Sequence, residues 1–329
     1  MAQHNPRILV TGGAGYIGSH ACKALSQAGY VPVVYDSLCR GHAWAVKYGP
    51  LEIGDILDED RLRDVCRIHR PAGVIHFAAL TYVGESVENP MLYYQNNVGG
   101  TMALLRAMAA EDINRIVFSS TCAIYGVPET IPIHEDMPQR PINPYGHSKA
   151  MVEQMLRDCA SAGRLRAVAL RYFNAAGADL DGELGEHHDP ETHVIPLALQ
   201  AVKGVGGPLT VFGTDYPTPD GTCIRDYVHV TDLADAHVKA LRFTETQHQG
   251  SFDAFNLGTG TGVSVKDLLN LTGQVTARPV PVVYGARRPG DPPTLVADPR
   301  RANRVLSWSP QHSNPHTILR TAWDWVNRV

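Results

Sequence analysis

No block of like charge interrupts this 329-residue chain: 29 basic and 33 acidic residues are interspersed, for a net charge of −4. Without a basic run or an aromatic–basic stripe, no nucleic-acid partner is expected. Apolar runs are short, none near the roughly 18–20 residues a membrane helix needs, so no membrane partner is expected either. The six cysteines (Cys22, Cys39, Cys66, Cys122, Cys159 and Cys223) include no Cys-x-x-Cys pair. That spacing argues against a disulfide framework or a cysteine zinc site. An apolar strand begins about seven residues in, leaving no room for a charged-then-apolar leader, and a cytoplasmic location is expected. Internal repeats and low-complexity segments are absent as well. At 44% hydrophobic and 19% charged, the composition is that of a globular protein with a sizeable core.

What the chain does have is glycine in one telling place. Ile8-Leu9-Val10 runs into Thr11-Gly12-Gly13-Ala14-Gly15-Tyr16-Ile17-Gly18. A strand, a glycine-rich turn and a helix bring backbone N–H groups and a helix N-terminus to a pyrophosphate. A second apolar run, Val31–Tyr35, ends in Asp36, 18 residues past Gly18. An acidic side chain there binds a ribose 2′-hydroxyl and repels a 2′-phosphate, which favours NAD over NADP.

Strand candidates at Arg7–Thr11, Val31–Tyr35, Gly73–Phe77, Arg115–Ser119 and Arg166–Arg171 alternate with helix-length segments at Ser19–Ala28, Glu59–His69, Asn96–Ala110 and Tyr145–Ala162. The alternation predicts an α/β fold, a Rossmann-like doubly wound parallel sheet with helices on both faces. Ligands of such a sheet sit outside the carboxyl ends of its strands. Past about residue 175 the alternation fades into the polar stretches Asp179–His193 and Gly213–Gly221, with a late strand at Phe252–Leu257 and an amphipathic run at Thr317–Val329. The expected division is a nucleotide-binding domain over 1–174, with a return near 224–258, and a smaller C-terminal substrate-binding lobe from 175–223 and 259–329.

Tyr145 and Lys149 are four apart and so share one helix face. A free tyrosine ionises near pH 10, and bringing it to ~7 takes about 4 kcal/mol. A neighbouring ammonium and a positive nicotinamide ring both favour the phenolate. Thr121, at a strand end, offers a hydroxyl to the same reacting oxygen. The spacing of Glu186-His187-His188-Asp189 and His193 fixes no ligand geometry, and no metal is expected. Cys122 has no activating base and reads as a small buried thiol.

These features resemble the extended short-chain dehydrogenase/reductases and, within them, the UDP-glucose 4-epimerases. The resemblance covers nearly the whole chain. It rests on Gly12–His20, Val74–Ala79, Val83-Gly84-Glu85-Ser86, Tyr94–Asn97, Asn143-Pro144-Tyr145 with Ser148-Lys149, Arg171–Asn174, Gly221–Val230 and Arg287-Arg288-Pro289-Gly290-Asp291. It implies a reversible 4-epimerisation of UDP-galactose and UDP-glucose through a 4-keto sugar, with retained NAD and a homodimer built on the Asn96–Ala110 and Tyr145–Ala162 helices.

Carried over, Tyr145, Lys149 and Thr121 become the catalytic set. Cofactor contacts fall to Gly12, Gly15, Tyr16, Ile17, Gly18, Asp36, Ser37, Asp55, Ile56, Phe77, Ala78, Ala79, Asn96, Ser119, Tyr145, Lys149 and Phe173. The UDP-sugar falls to Thr121, Tyr145, Asn174, His193, Phe212, Arg225, Arg288, Asp291 and Leu295. The chain departs from relatives in places: Thr121 replaces a frequent serine, and Thr81 and His147 stand where lysines occur. His193 stands for an asparagine, and Leu295 occupies a position that gates the sugar pocket.

A 4-epimerase of UDP-pentoses or UDP-N-acetylhexosamines would share the catalytic set and differ only in the pocket lining. A 4,6-dehydratase would want an acid where Cys122-Ala123 stand. A non-catalytic NAD sensor would need no Thr121, Tyr145 and Lys149.

Overall fold

The computed structural model describes residues 5–288 and 291–328; Pro289 and Gly290 of the tail motif, and Val329, lie outside them. Seven parallel strands form one sheet in the order Leu51–Ile53, Val31–Asp36, Arg7–Thr11, Gly73–His76, Arg115–Thr121, Arg166–Tyr172, Phe252–Leu257. The chain moves outward from Arg7–Thr11 in one direction, then returns to Gly73–His76 on its other side. That neighbouring pair is the switch point at which doubly wound sheets open a crevice. The glycine-rich turn leaves from it.

Strands buried on both faces need continuous apolar runs, and these have them. Ile8, Val10, Val34, Ile75, Val117 and Val168 point to one face, under Cys22 and Leu25 of the Tyr16–Gln27 helix and Leu233 and Leu241 of the Val230–Thr246 helix. Leu9, Val33, Val74, Ile116 and Phe118 point to the other, under Leu62, Leu104 and Val152. The late strand Phe252–Leu257 does return to the sheet, pairing with Arg166–Tyr172. Leu51–Ile53 was not foreseen, since three residues at a sheet edge leave no periodicity to read.

One predicted helix differs in kind. Over Tyr94–Gly99 the backbone is a π-helix, and α-helix resumes at Gly100–Ala110. The wider turn lets Asn97 serve the neighbouring loop rather than its own helix. Its Oδ1 accepts from the Leu80 N–H at 2.8 Å, and its Nδ2 donates to the Leu80 carbonyl and to Ser148 Oγ at 3.0 Å each.

Beyond the sheet the chain makes smaller pairings. Asn174–Ala176 pairs with Tyr227–His229, Leu209–Phe212 with Val282–Gly285, and Ile224–Arg225 with both Val263–Ser264 and Thr294–Leu295. These short strands carry Asn174, Phe212, Arg225 and Leu295, four of the residues that the resemblance assigns to the sugar nucleotide.

The Pro144–Ser161 helix is tied to the sheet by a buried ion pair. Glu153, fully buried, accepts from Arg171 at 2.9 Å (Nε) and 2.6 Å (Nη2), from Ser120 Oγ at 2.6 Å and from Gln139 Nε2 at 2.9 Å. Burial alone would push the Glu153 carboxyl up, but the Arg171 hydrogen bonds outweigh it and hold the carboxyl below its ordinary range. Removing one partner of such a pair costs about 3–5 kcal/mol, whereas replacing both with apolar groups is far milder. Glu153→Leu is therefore expected to lose about that much in urea unfolding. Glu153→Leu combined with Arg171→Met should recover most of the loss; an equally large loss in the double variant would refute this account.

Candidate active site

At the turn, two glycines are required by space. Gly12 has φ +72°, and a Cβ there would lie 2.6 Å from the Ala78 nitrogen. A Cβ on Gly18 would lie 2.2 Å from the Gly12 carbonyl oxygen. Gly15 is the N-cap of the Tyr16–Gln27 helix, and no side chain caps it. The first-turn N–H groups of Tyr16 and Ile17 thus have no capping side chain, the condition an anion at a helix N-terminus requires. The Tyr16 hydroxyl itself donates to the Gly177 carbonyl at 2.5 Å.

Asp36 ends its strand with Oδ2 accepting from the Ala14 N–H at 3.0 Å and Oδ1 from Leu38 at 2.8 Å, which pins the carboxylate beside the turn. Burial raises its pKa above the ordinary value, against those two hydrogen bonds. Ser37 follows it, caught in a side-chain turn with Cys39. Asp55 takes the Tyr35 hydroxyl on its carbonyl at 2.8 Å, and Ile56 is buried beneath Gly100. Phe77 packs on His237, with ring centroids 4.6 Å apart, and Ala78 donates its N–H to the Thr11 carbonyl. Ala79 adjoins the Leu80 backbone that Asn97 grips, and Asn96 donates to Asn97 Oδ1 at 3.0 Å. A geometry thus gathers around one crevice that suits a dinucleotide: a cradle that a Cβ would fill, an uncapped helix N-terminus and a carboxylate at the next strand end.

Thr121 closes the Arg115–Thr121 strand, and its Oγ1 accepts from the Ala123 N–H at 3.1 Å. Tyr145 and Lys149 stand one turn apart on the Pro144–Ser161 helix, whose N-cap Asn143 accepts from the Gly146 N–H at 2.8 Å. Lys149 is buried and donates to the Ser119 carbonyl at 2.8 Å; its Nζ lies 6.0 Å from the Tyr145 ring centroid. Ser119 Oγ also meets the Tyr172 hydroxyl.

The expected lowering of the Tyr145 pKa is not met by the protein alone. Burial pushes the phenol up to about 12, with a hydrogen bond to Thr121 pulling the other way. Burial also brings Lys149 down to about 7. The reason is desolvation: both groups sit where charge is costly, and the ammonium is spent on a carbonyl. His76, buried and hydrogen-bonded between Thr11 and Thr101, falls to about 3 through burial first and the Lys149 charge second, so it is a neutral tether. The Cys122 thiol is pushed up to about 12 by burial, consistent with an inert thiol.

A cavity of about 470 Å³ gathers six residues that the resemblance assigned to the UDP-sugar: Asn174, His193, Phe212, Arg225, Arg288 and Asp291. Arg288 stacks on Phe212, 4.0 Å from the ring centroid. Arg225 pairs with Asp291 and donates to the Ile224 carbonyl at 2.8 Å. Thr121, Tyr145 and Leu295 are not among the cavity's lining residues. Leu295 instead pairs in register with Arg225 and packs on the cluster of Cys122, Tyr125 and Phe173, which joins the cavity to the end of the Arg115–Thr121 strand.

Three supporting residues escaped the sequence. Asn97 pins the Leu80 loop to Ser148. Glu153 lies in the same i, i+4, i+8 stripe as Tyr145 and Lys149, the one signal that could have found it. Asp226, fully buried, accepts from the N–H groups of Thr259, Gly260 and Ala297 and thereby aligns the strands beside Arg225.

The glycine geometry makes a direct prediction. Gly18→Ala must displace backbone and is expected to cost about 3 kcal/mol in chemical denaturation, at the upper end of ordinary single substitutions. Gly15→Ala, whose methyl would find the Gly12 oxygen at 3.3 Å, should cost less than about 1 kcal/mol. Equal losses would remove close approach as the cause.

Known proteins resemble this one over nearly its whole length. A UDP-glucose 4-epimerase of Rhizobium leguminosarum bv. trifolii is 54% identical over 318 residues, 97% of this chain and 96% of that one. One from Rhizobium meliloti is 53% identical over 324 residues, 98% of each. The structure of UDP-glucose 4-epimerase from Brucella ovis in complex with NAD matches with a TM-score of 0.94 at 54% identity, over 97% of this chain and 98% of that one. The Bifidobacterium longum enzyme in complex with NAD+ and UDP matches at 0.93 and 35%, over 98% of both. The profile of the NAD dependent epimerase/dehydratase family spans residues 8–258, and with these full-length relatives it places the chain as a member of that family.

Proposed function

We infer that the chain is an NAD-dependent 4-epimerase that interconverts UDP-galactose and UDP-glucose. The observation that carries the reading is one set of parts in order: the Gly12–Gly18 cradle, then the Thr121 strand end with Tyr145 and Lys149 on the neighbouring helix, then the cavity bearing Arg225 and Arg288, linked to that strand end through Leu295 and Cys122. Relatives at 54% and 53% identity are named UDP-glucose 4-epimerase, and solved neighbours carry NAD, or NAD+ and UDP. On this reading residues 1–174 with the return near 224–258 hold NAD, and 175–223 with 259–329 hold the sugar nucleotide.

The cradle and Asp36 would hold NAD, which when bound supplies reversible acceptance of a hydride. Tyr145 Oη takes the proton of the sugar 4-hydroxyl and later returns it. Thr121 Oγ1 shares a hydrogen bond with that oxygen and stabilises the phenolate. Lys149 keeps its Nζ on the Ser119 carbonyl, which fixes the turn of helix that aims Tyr145. Arg225 and Arg288 suit a diphosphate, because a guanidinium forks onto two phosphate oxygens. Burial holds Tyr145 near 12 in the protein by itself, so most of the drive to ionise must arrive with the bound positive charge.

A cytoplasmic homodimer completes the proposal. All six cysteines are free thiols, and no helix among the described residues is long and apolar enough to cross a membrane. Val87, Met91, Met102 and Met151 are exposed along the helices flanking the catalytic one and on it, an apolar face suited to a second copy.

Purified protein given UDP-galactose without added cofactor should generate UDP-glucose to a stable mixture in an NMR time course. Tyr145→Phe should retain NAD while turnover falls about 10²–10⁴-fold. Unchanged turnover would remove Tyr145 as the base; conversion of only another UDP-sugar would overturn the substrate.

A further inference from the structure

The loop entering the Val194–Lys203 helix folds Glu186, His188, Glu191 and His193 onto one another, with one donor atom from each within 4.8 Å of the others. His193 Nδ1 lies 2.8 Å from Glu186 Oε1 and 2.9 Å from Glu191 Oε1. His188 Nδ1 lies 3.2 Å from Glu186 Oε1 and 3.5 Å from Glu191 Oε2. A tetrahedral ion with bonds of about 2.0–2.1 Å separates its donors by about 3.3–3.4 Å; the two edges that share Glu186 Oε1, 2.8 and 3.2 Å, would open slightly to admit it, while the two imidazoles meet different oxygens of Glu191. Both carboxylates are nearly enclosed, with 8% and 7% of their side chains exposed.

Hydrogen bonding leaves one atom unaccounted for. His188 Nδ1 is buried between two carboxylate oxygens yet bonds to neither. His193 differs: its Nδ1 is within hydrogen-bond reach of Glu191 Oε1 at 2.9 Å, an oxygen that also accepts from the N–H groups of Thr192 and His193. The surroundings hold the loop from three sides. Trp325 Nε1 donates to the Glu186 carbonyl at 2.9 Å, the Tyr82 hydroxyl to the Pro190 carbonyl at 3.0 Å, and His42 Nε2 to the His187 carbonyl at 2.9 Å. Spacing in sequence supplied no fixed geometry for this run; the fold supplies it.

We propose that Glu186, His188, Glu191 and His193 bind one divalent transition-metal ion of the zinc class. Two imidazoles and two carboxylates suit zinc better than magnesium or calcium, which favour all-oxygen shells, and two glutamates neutralise its charge. Four protein donors leave no open position, so the site is structural. Its effect reaches the substrate cavity, because Thr192, His193 and Val194 line it. The ion braces that wall and takes no part in hydride or proton transfer.

The test uses the full chain stripped with a chelator and titrated with cobalt(II). One equivalent should produce the intense visible absorption of a tetrahedral cobalt centre, and zinc should displace it. Zinc should also raise the melting temperature of the stripped protein. His188→Gln and Glu191→Gln should each weaken zinc binding by more than about 100-fold. Absence of both the visible band and the thermal response in the wild-type chain would overturn the proposal, leaving imidazolium–carboxylate pairs. A full-strength band in a folded His188→Gln variant would overturn it equally. Should a variant not fold, the wild-type titration still decides.

Discussion

The Glu153–Arg171 ion pair is the constraint on which the site depends. Neither charge could be buried alone, because desolvating one ion costs several kcal/mol that only a close, hydrogen-bonded partner offsets. The pair therefore has one permitted arrangement. It fastens the Pro144–Ser161 helix to the Arg166–Tyr172 strand, while Ser120 on the same carboxylate brings in the neighbouring Arg115–Thr121 strand. Ser120 adjoins Thr121, and Glu153 lies one turn beyond Lys149. Arg171 reaches further, to the Tyr125 hydroxyl at 2.8 Å, which donates in turn to Asn256 of the last strand. Three strand ends and one helix are thereby held in a common register around Tyr145.

Burial opposes ionisation at the centre of the site. Tyr145 is held protonated, Lys149 is drawn toward neutrality and His76 is kept uncharged. Ionising such a phenol needs a cation beside it, since even an ordinary phenol takes about 4 kcal/mol to go from about 10 to 7 and burial here adds to that. The cavity beyond is built differently: its arginines keep their charge and are fixed in place, Arg225 by Asp291 and Arg288 by stacking on Phe212.

Much was legible before folding. Glu59–His69, Arg7–Thr11 and Phe252–Leu257 match the expected bounds to the residue, and four further sheet strands match within one or two. Their apolar runs leave no other element plausible, and local pattern decides them. The Gly12–Gly18 turn announced its phosphate-binding shape because only glycine tolerates backbone at such distance. Asn97, Glu153 and Asp226 gave no such notice. A polar side chain in a helix or loop has many uses, and which one it serves depends on what is packed against it.

Local chemistry therefore determined the sheet, the cradle, the i, i+4 pair of Tyr145 and Lys149, and the order in which they occur. Only the tertiary structure decided how those groups are charged, because desolvation depends on neighbours far apart in sequence. It also decided that residues from 174 to 291 converge on one cavity. The gathering of Glu186, His188, Glu191 and His193 about one point belongs to the same class. Their spacing permits many shapes, and the contacts with Trp325, Tyr82 and His42 select one.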